Sequence, residues 1–183
     1  MFYLHLSSVF SEQYCLELIE SAKSKGFNRA GVNVYGETKM REDIRKNSRV
    51  LWESEELAKQ LELKIKEASK SNYPYAFANK QLVGFGKLFR MYEYKVGEYF
   101  KPHKDGKTSI DDTVSLITVL VYLNNTDGGE TILMPEGFSQ KDKWVKVTPK
   151  IGDVLLFQHD CWHSGEQVNS GEKYVLRTDI FYK

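Results

Sequence analysis

His103 and Asp105 stand one residue apart in the stretch Tyr94–Asp105, YKVGEYFKPHKD. On an extended strand, residues i and i+2 point to the same side, so an imidazole and a carboxylate would project together. A third donor is needed to complete a metal-binding face, and His163 is the best candidate downstream. Two imidazoles and one carboxylate form the facial set that holds Fe(II) and leaves positions open for reactants. An HxD pair alone is a weak signal, but its flanks strengthen it. Gly97 permits a turn, Phe100 leads into the strand, and Pro102 bars a helix before His103. His159 and His163 lie four apart, the spacing of a zinc-binding pair on a helix. The run VLLFQHDCWHSG reads instead as a strand and a turn closed by Gly165, so His159 is expected to support the structure. His5 has no partner nearby in sequence and is given no role.

A second constellation lies in KYVLRTDIFY, Lys173–Tyr182. Strand alternation puts Lys173, Val175, Arg177 and Asp179 on one face. A cation ten residues after the distal histidine suits a dicarboxylate co-substrate whose 2-oxo acid end meets the metal and whose far carboxylate meets the cation. A lone strand lysine more often faces solvent; the HxD pair is what gives Lys173 its weight.

The elements that must position these groups follow from composition and periodicity. A chain of 183 residues can bury a real core as a single domain over 1–183. With 41% hydrophobic and 28% charged residues it reads as globular, and a net charge of +1 gives no strong pull toward nucleic acid or an anionic membrane. No apolar run approaches the ~20 residues of a membrane span. The start, MFYLHLSSVFSEQY, lacks the basic and apolar regions of a signal peptide. Cys15 and Cys161 make neither a disulfide framework nor a zinc ribbon, so a reducing, cytoplasmic setting is expected.

Phe2–Leu6 reads as a strand. Ser11 caps a first helix with Glu12 in its first turn, an apolar face of Tyr14, Cys15, Leu18, Ile19 and Ala22, and a stop at Gly26. Residues 27–50 are polar and poorly periodic, which predicts either a lid over a site or a solvated connector. Its Arg41, Arg45 and Arg49 are candidates to meet an anionic or peptide substrate, or simply to solvate a surface. Ser54 caps a second helix with Leu57, Leu61, Ile65 and Ala68 on one face. From residue 82 the period turns strand-like: Leu82–Tyr94, Leu116–Leu123, Thr131–Met134, Trp144–Val147, Val154–Phe157 and Tyr174–Tyr182. Leu116–Leu123 is apolar on both faces and must be buried on both. Helices followed by short strands predict an α+β domain. Residues 1–81 form the helical part and substrate loop. Residues 82–183 form a double-stranded β-helix of jelly-roll or cupin type, which can bring His103 beside His163.

Several separated runs in order, YEYKVGEYFKPHKD, ITVLVYLN, GGETIL, GDVLLFQH and HSGEQVNSGEKYVLRTDIFY, carry a resemblance over about residues 85–183. This part resembles the catalytic domain of the 2-oxoglutarate/Fe(II)-dependent dioxygenases, most closely the prolyl 4-hydroxylase branch. The first 80 residues match only loosely, in their helices and in IRKNSRVLW.

The resemblance implies that His103, Asp105 and His163 ligate Fe(II). Lys173 stands where the family places the basic residue for the C5 carboxylate of 2-oxoglutarate. Tyr122 and Tyr94 match tyrosines that contact the same co-substrate, and Tyr92 is a weaker candidate. Thr118 and Leu120, on the face of Tyr122, and Thr131 would wall the pocket. Arg177 departs from the pattern. It is ranked near the metal with a catalytic or substrate-steering place, against co-substrate binding in place of Lys173 or a structural pair with Asp179. Arg45 and Arg49 are assigned to substrate.

The implied reaction uses 2-oxoglutarate and O2 to hydroxylate an unactivated C–H bond, with succinate and CO2 as co-products and ascorbate as an accessory reductant. A protein or peptide proline is the expected target. The same chemistry on a free amino acid, nucleobase or small metabolite, a cupin-like metal-binding module without turnover, and a zinc hydrolase built on His159 and His163 are the rival readings.

Overall fold

The computed structural model describes residues 1–34 and 37–183. Strand β1 (Tyr3–Leu6) precedes helix α1 (Glu12–Lys25). Strands β2 (Asn28–Arg29), β3 (Val32–Val34), β4 (Glu37–Lys39), β5 (Arg45–Lys46) and β6 (Ser48–Glu53) then lead into α2 (Glu55–Ser69). After β7 (Ala76–Phe77) come β8 (Lys80–Phe85), β9 (Leu88–Lys95) and β10 (Tyr99–His103). A short β11 (Ser109–Ile110) folds back on the long β12 (Thr113–Tyr122). The chain continues through β13 (Asp127–Gly128), β14 (Thr131–Met134), β15 (Val145–Val147) and β16 (Val154–Gln158). It closes with β17 (Trp162–Gly165), β18 (Val168–Ser170) and β19 (Glu172–Tyr182).

Two antiparallel sheets dominate. The larger runs β1-β16-β12-β19-β9-β6-β2, and the smaller runs β15-β14-β17-β10-β5. Tyr122, Leu155, Phe157 and Val175 of the larger sheet pack on Leu133 and Val147 of the smaller and on Cys161 just before β17, which forms the inner core. The opposite face of the larger sheet, with Ile117, Val119, Leu156, Leu176 and Ile180, packs on both helices. Strands β12 and β16 are therefore covered on both faces, as their unbroken apolar runs require. This is a double-stranded β-helix with the N-terminal helices laid on its outside.

The helices form for local reasons. The Ser11 and Ser54 hydroxyls accept from the Tyr14 and Leu57 amides, capping α1 and α2. Cys15, Ile19 and Ala22 bury one face of α1. In α2 the buried row is Leu57, Leu61, Ile65 and Ser69, and Ala68 is exposed, contrary to expectation. Positions 61, 65 and 69 follow i, i+4 directly, and the Ser69 hydroxyl is satisfied by donating 2.6 Å to the Ile65 carbonyl. Gly152, at φ +80°, lets its carbonyl accept from the Val9 and Phe10 amides at 2.9 and 3.1 Å; a Cβ there would run into the Phe10 carbonyl. His5, left without a role, bonds the buried Asp153 at 3.0 Å and ties β1 to this turn.

Residues 27–50 differ from the expected lid or connector. They contain β2 to β5 and the start of β6, which pairs with β9 along its whole length. Strands of two or three residues carry no readable period, and their hydrogen bonds come from distant partners. Arg29 bonds Glu98 at 2.5 Å, and the Tyr99 hydroxyl donates to the Glu42 carbonyl at 3.1 Å, tying the segment to the strands around His103. Tyr35 and Gly36 of this stretch lie outside the described residues. Leu82–Tyr94 is also two strands rather than one. Both β8 and β9 pair with β19, and Gly86 and Lys87 interrupt them opposite Asp179.

Candidate metal centre and co-substrate pocket

The site lies between the two sheets. His103 ends β10 directly opposite His163 in β17, so the smaller sheet sets the two imidazoles side by side with centroids 4.2 Å apart. Asp105 falls just beyond the strand, not on it, and its amide donates to the His159 carbonyl at 3.3 Å. The strand ends because its neighbour in β17 also ends, and Asp105 turns across toward the larger sheet. Ligand atoms of His103, Asp105 and His163 lie within 4.8 Å of one another.

Both histidines are oriented by the main chain. Nδ1 of His103 lies 2.8 Å from the Lys101 carbonyl, and Nδ1 of His163 lies 3.0 Å from the Cys161 carbonyl. A carbonyl only accepts, so each Nδ1 carries the hydrogen and each Nε2 presents a lone pair. Phe100 stacks on His103 at 3.5 Å, and Phe157 lies against His163 at 4.5 Å. Burial, then the neighbouring His163, pushes His103 down to about 3, and burial also lowers His163. Both rings are neutral donors near pH 7.

Asp105 is held at both oxygens. Oδ1 pairs with Arg177 Nη1 at 2.7 Å, and Oδ2 accepts from the Thr118 hydroxyl at 2.6 Å while lying 3.7 Å from His163 Nε2. Burial alone would raise this carboxyl, but Arg177, then the two histidines, outweigh it and hold it below the ordinary range. Two neutral imidazoles and one ionised carboxylate converge, the donor set that suits a borderline divalent metal such as Fe(II).

Arg177 also bonds Asp179 at 3.1 Å, and Asp179 in turn meets Arg90 at 3.3 Å and approaches His159 at 3.4 Å. The His159 contact is within ion-pair range but fails hydrogen-bond geometry, and both ring nitrogens are buried without a bonded partner. His159 is thus a buried neighbour of the ladder, and its nitrogens are not among the converging donors.

The pocket beside the three residues is lined by Tyr92, Tyr94, Phe100, Leu120, Thr131, Ser164, Gly165, Lys173, Val175 and Arg177. Lys173 is 3% exposed, donates 2.5 Å to the Gly129 carbonyl and pairs with no carboxylate among the described residues. Burial lowers it to about 8, against smaller opposing effects of Glu130 and Glu166. Its ammonium lies 5.2 Å from the Tyr94 ring centre and 5.8 Å from that of Tyr122.

Tyr122 and Thr118 stand one layer back from the pocket wall. The Tyr122 hydroxyl donates to Thr131 Oγ1 at 2.8 Å, and Thr131 is the one that lines the pocket; Thr118 reaches only Asp105. Arg45 is 6% exposed, correcting its expected place on a surface loop. Its guanidinium lies 4.8 and 4.6 Å from the Tyr92 and Phe100 ring centres, and Nε donates to Asn47 at 2.7 Å. Arg49 is half-buried in β6 opposite Tyr92.

Sequence reading had not singled out Arg90 or the Arg177–Asp105 bond. Both depend on which strands lie side by side, a fact no local pattern carries.

Residues 89–178 match the family model of the 2OG-Fe(II) oxygenase superfamily. The chain carries a 2OG-Fe(II) oxygenase domain. A probable prolyl 4-hydroxylase 11 of Arabidopsis thaliana is 34% identical over 120 residues, covering 64% of this chain and 41% of the relative. The chain thus matches about two fifths of that relative's length. Two solved structures share the fold over nearly the whole chain. The viral collagen prolyl hydroxylase of Paramecium Bursaria Chlorella virus-1, in its 2OG complex, has a TM-score of 0.68 at 22% identity, covering 99% of this chain and 96% of its own. A prolyl hydroxylase from Trichoplax adhaerens, in complex with a hypoxia inducible factor oxygen degradation domain peptide, has a TM-score of 0.70 at 20% identity, covering 98% and 83%. The domain resembles prolyl 4-hydroxylases, and no helix of the described residues is long and apolar enough to cross a membrane.

Proposed function

We propose that the protein is an Fe(II)- and 2-oxoglutarate-dependent dioxygenase that hydroxylates an unactivated C–H bond of a protein or peptide, in the manner of a prolyl 4-hydroxylase. The observation that carries this is the pairing of two half-sites. His103, Asp105 and His163 converge at one end of the pocket, and Lys173, buried without a counter-ion among the described residues, waits at the other.

The residues fit both groups. His103, Asp105 and His163 would hold Fe(II), and Lys173, with Thr131 beside it, would take the far carboxylate of 2-oxoglutarate. Bound there, the metal would supply the redox chemistry that couples oxidative decarboxylation of 2-oxoglutarate by O2 to C–H oxidation. One oxygen of O2 ends in the new hydroxyl and the other in succinate, with CO2 released. Ascorbate would serve as an accessory reductant.

The chain's own residues orient these partners. The Lys101 and Cys161 carbonyls fix the imidazoles, and Arg177 and Thr118 hold Asp105 ionised in one rotamer. Tyr94, Leu120, Val175 and Phe100 keep water from the co-substrate. Two buried free cysteines fit a reducing, cytoplasmic setting.

The likeness to prolyl hydroxylases supports a peptide substrate; a free amino acid, nucleobase or small metabolite is the alternative. Purified protein with Fe(II), 2-oxoglutarate and ascorbate, offered proline-containing peptides and a small-metabolite panel, should yield succinate and a +16 Da peptide product by mass spectrometry. A +16 Da product confined to the metabolites selects the alternative, and absence of succinate formation overturns the oxygenase reading.

A further inference from the structure

The far side of the site from Lys173 is crowded with cations. Three adjacent strands present two neighbouring inner rows. Arg49 of β6 is opposite Tyr92 of β9, which is opposite Val175 of β19. One step along, Leu51 is opposite Arg90, which is opposite Arg177. Directly paired residues share a face with Cβ atoms about 4.5–5.5 Å apart, so Arg49, Arg90 and Arg177 gather around the Tyr92 ring. Arg45 covers that ring from β5 of the other sheet, at 4.8 Å.

Few carboxylates answer them. The metal's two charges and Lys173 would offset Asp105 and the two carboxylates of 2-oxoglutarate. Arg45, Arg49, Arg90 and Arg177 are then left with Asp179, which Arg90 and Arg177 already share. The Arg49 side chain makes no hydrogen bond or ion pair among the described residues, and Glu53, further along β6, is exposed and pairs with none of the four arginines among them. Arg45 is 6% exposed, yet its Nη2 is buried without a partner among the described residues. Burial, then Arg45, Arg90 and Arg177, lowers the Arg49 guanidinium despite the opposing effect of Tyr92. Burial would raise the Tyr92 phenol, but Arg177, Arg45 and Arg90 lower it instead.

We infer that Arg49 and Arg90, with Arg45 and Tyr92 behind them, form a carboxylate-binding subsite that selects a substrate carrying an acidic group close to the hydroxylated carbon. This rests on the oxygenase reading above. Arg90, the one subsite residue to do so, also lines a cleft with Lys87, Asp179, Glu53, Leu88, Ile110 and Phe181. That shape suits an acidic side chain on a peptide whose apolar neighbours lie in the cleft. A free amino or dicarboxylic acid would satisfy the same cations from a smaller molecule.

The test compares matched substrates on the Fe(II)-loaded enzyme. Proline peptides with Glu or Gln at each position flanking the proline, and free acids with their amides, are assayed for +16 Da product and for anaerobic binding. The acidic member of at least one pair should be preferred by about tenfold or more in kcat/KM and in affinity. R49Q and R90Q should bring that ratio close to one, and R49K should retain part of it. Preference in the peptide pairs identifies a peptide substrate; preference confined to the free acids identifies a small one. Equal binding of every acid and amide pair, or an acidic preference that survives both glutamine variants, overturns the inference. Anaerobic 2-oxoglutarate binding to the Fe(II) enzyme, read by its visible absorption band without any substrate, is measured alongside. Its absence sinks the oxygenase reading itself, whereas its presence with equal pairs sinks only the subsite.

Discussion

The two ends of one strand face treat a positive charge in opposite ways. Lys173 and Arg177 lie four residues apart on the inner face of β19; Lys173 is buried, and the Arg177 side chain is 14% exposed. Arg177 is locked between Asp105 and Asp179, which hold its guanidinium protonated despite the burial. Lys173 has only a carbonyl and two ring faces. A buried cation with paired carboxylates is a structural part; one without is an incomplete pair that a ligand can finish. On the proposed function, the difference separates the residue that would shape the metal face from the one that would receive the co-substrate.

The comparison breaks most severely at Asp105. Asp105→Ala or His103→Ala should cut succinate formation by more than about 100-fold, since even supporting residues of a metal site are worth 10–100-fold. Undiminished succinate production by either variant would remove the metal from the face that Arg177 shapes.

Lys173→Ala should raise the KM for 2-oxoglutarate by roughly 10–100-fold, the value of a charge-assisted hydrogen bond. Arg177→Ala should raise that KM less and instead weaken Fe(II) binding by about tenfold. Steady-state kinetics and anaerobic Fe(II) titration separate the two, and the reverse order would exchange the roles of the two ends.

Titration sharpens the contrast. Lys173 is lowered to about 8 in the folded protein from 10.5, so above pH 8 the free protein loses the charge proposed to meet the co-substrate. Affinity for 2-oxoglutarate should fall by about tenfold per pH unit above 8 until the bound-state value is reached. Lys173→Arg should flatten that dependence. The unfolded chain keeps its proton up to 10.5, so Lys173 opposes folding most at and below pH 8. Stability of the ligand-free protein should therefore gain from this residue as pH rises from 8 to 10.5, by about 3 kcal/mol at most. A flat affinity profile between pH 7 and 9.5 would mean that the lysine is not the partner.

The smallest effect concerns the second layer. Thr131→Val strands the buried Tyr122 hydroxyl and should cost about 1–3 kcal/mol in urea denaturation. The double change with Tyr122→Phe should recover most of that loss, because both partners are then apolar. A Thr131→Val variant as stable as the unmodified protein would show that the 2.8 Å bond contributes nothing.

Much of this was readable in the chain. The alternation of Lys173–Asp179, the two-sided apolar run of β12 and the serine caps are local signals, and the strands and helices follow them. His103 and His163 can be paired by donor type alone, and a double-stranded β-helix is the fold that brings such distant strands together. What stayed hidden was non-local. The short strands of 27–50 owe their form to β9 and β10, and Arg45 is buried by rings 47 and 55 residues away in the chain. Asp105 leaves its strand to meet Arg177, an encounter that spacing alone could not announce.

The site also straddles a seam. His103 and His163 belong to the smaller sheet and Lys173 to the larger. A metal and an acid spanning these residues would act as a cross-brace between two slabs that otherwise meet mainly through apolar packing. The bound enzyme should resist prying apart more than the empty one, and its melting temperature should climb with co-substrate concentration. Heat that parts the slabs by a fraction of an ångström would silence the enzyme before it unravels the chain.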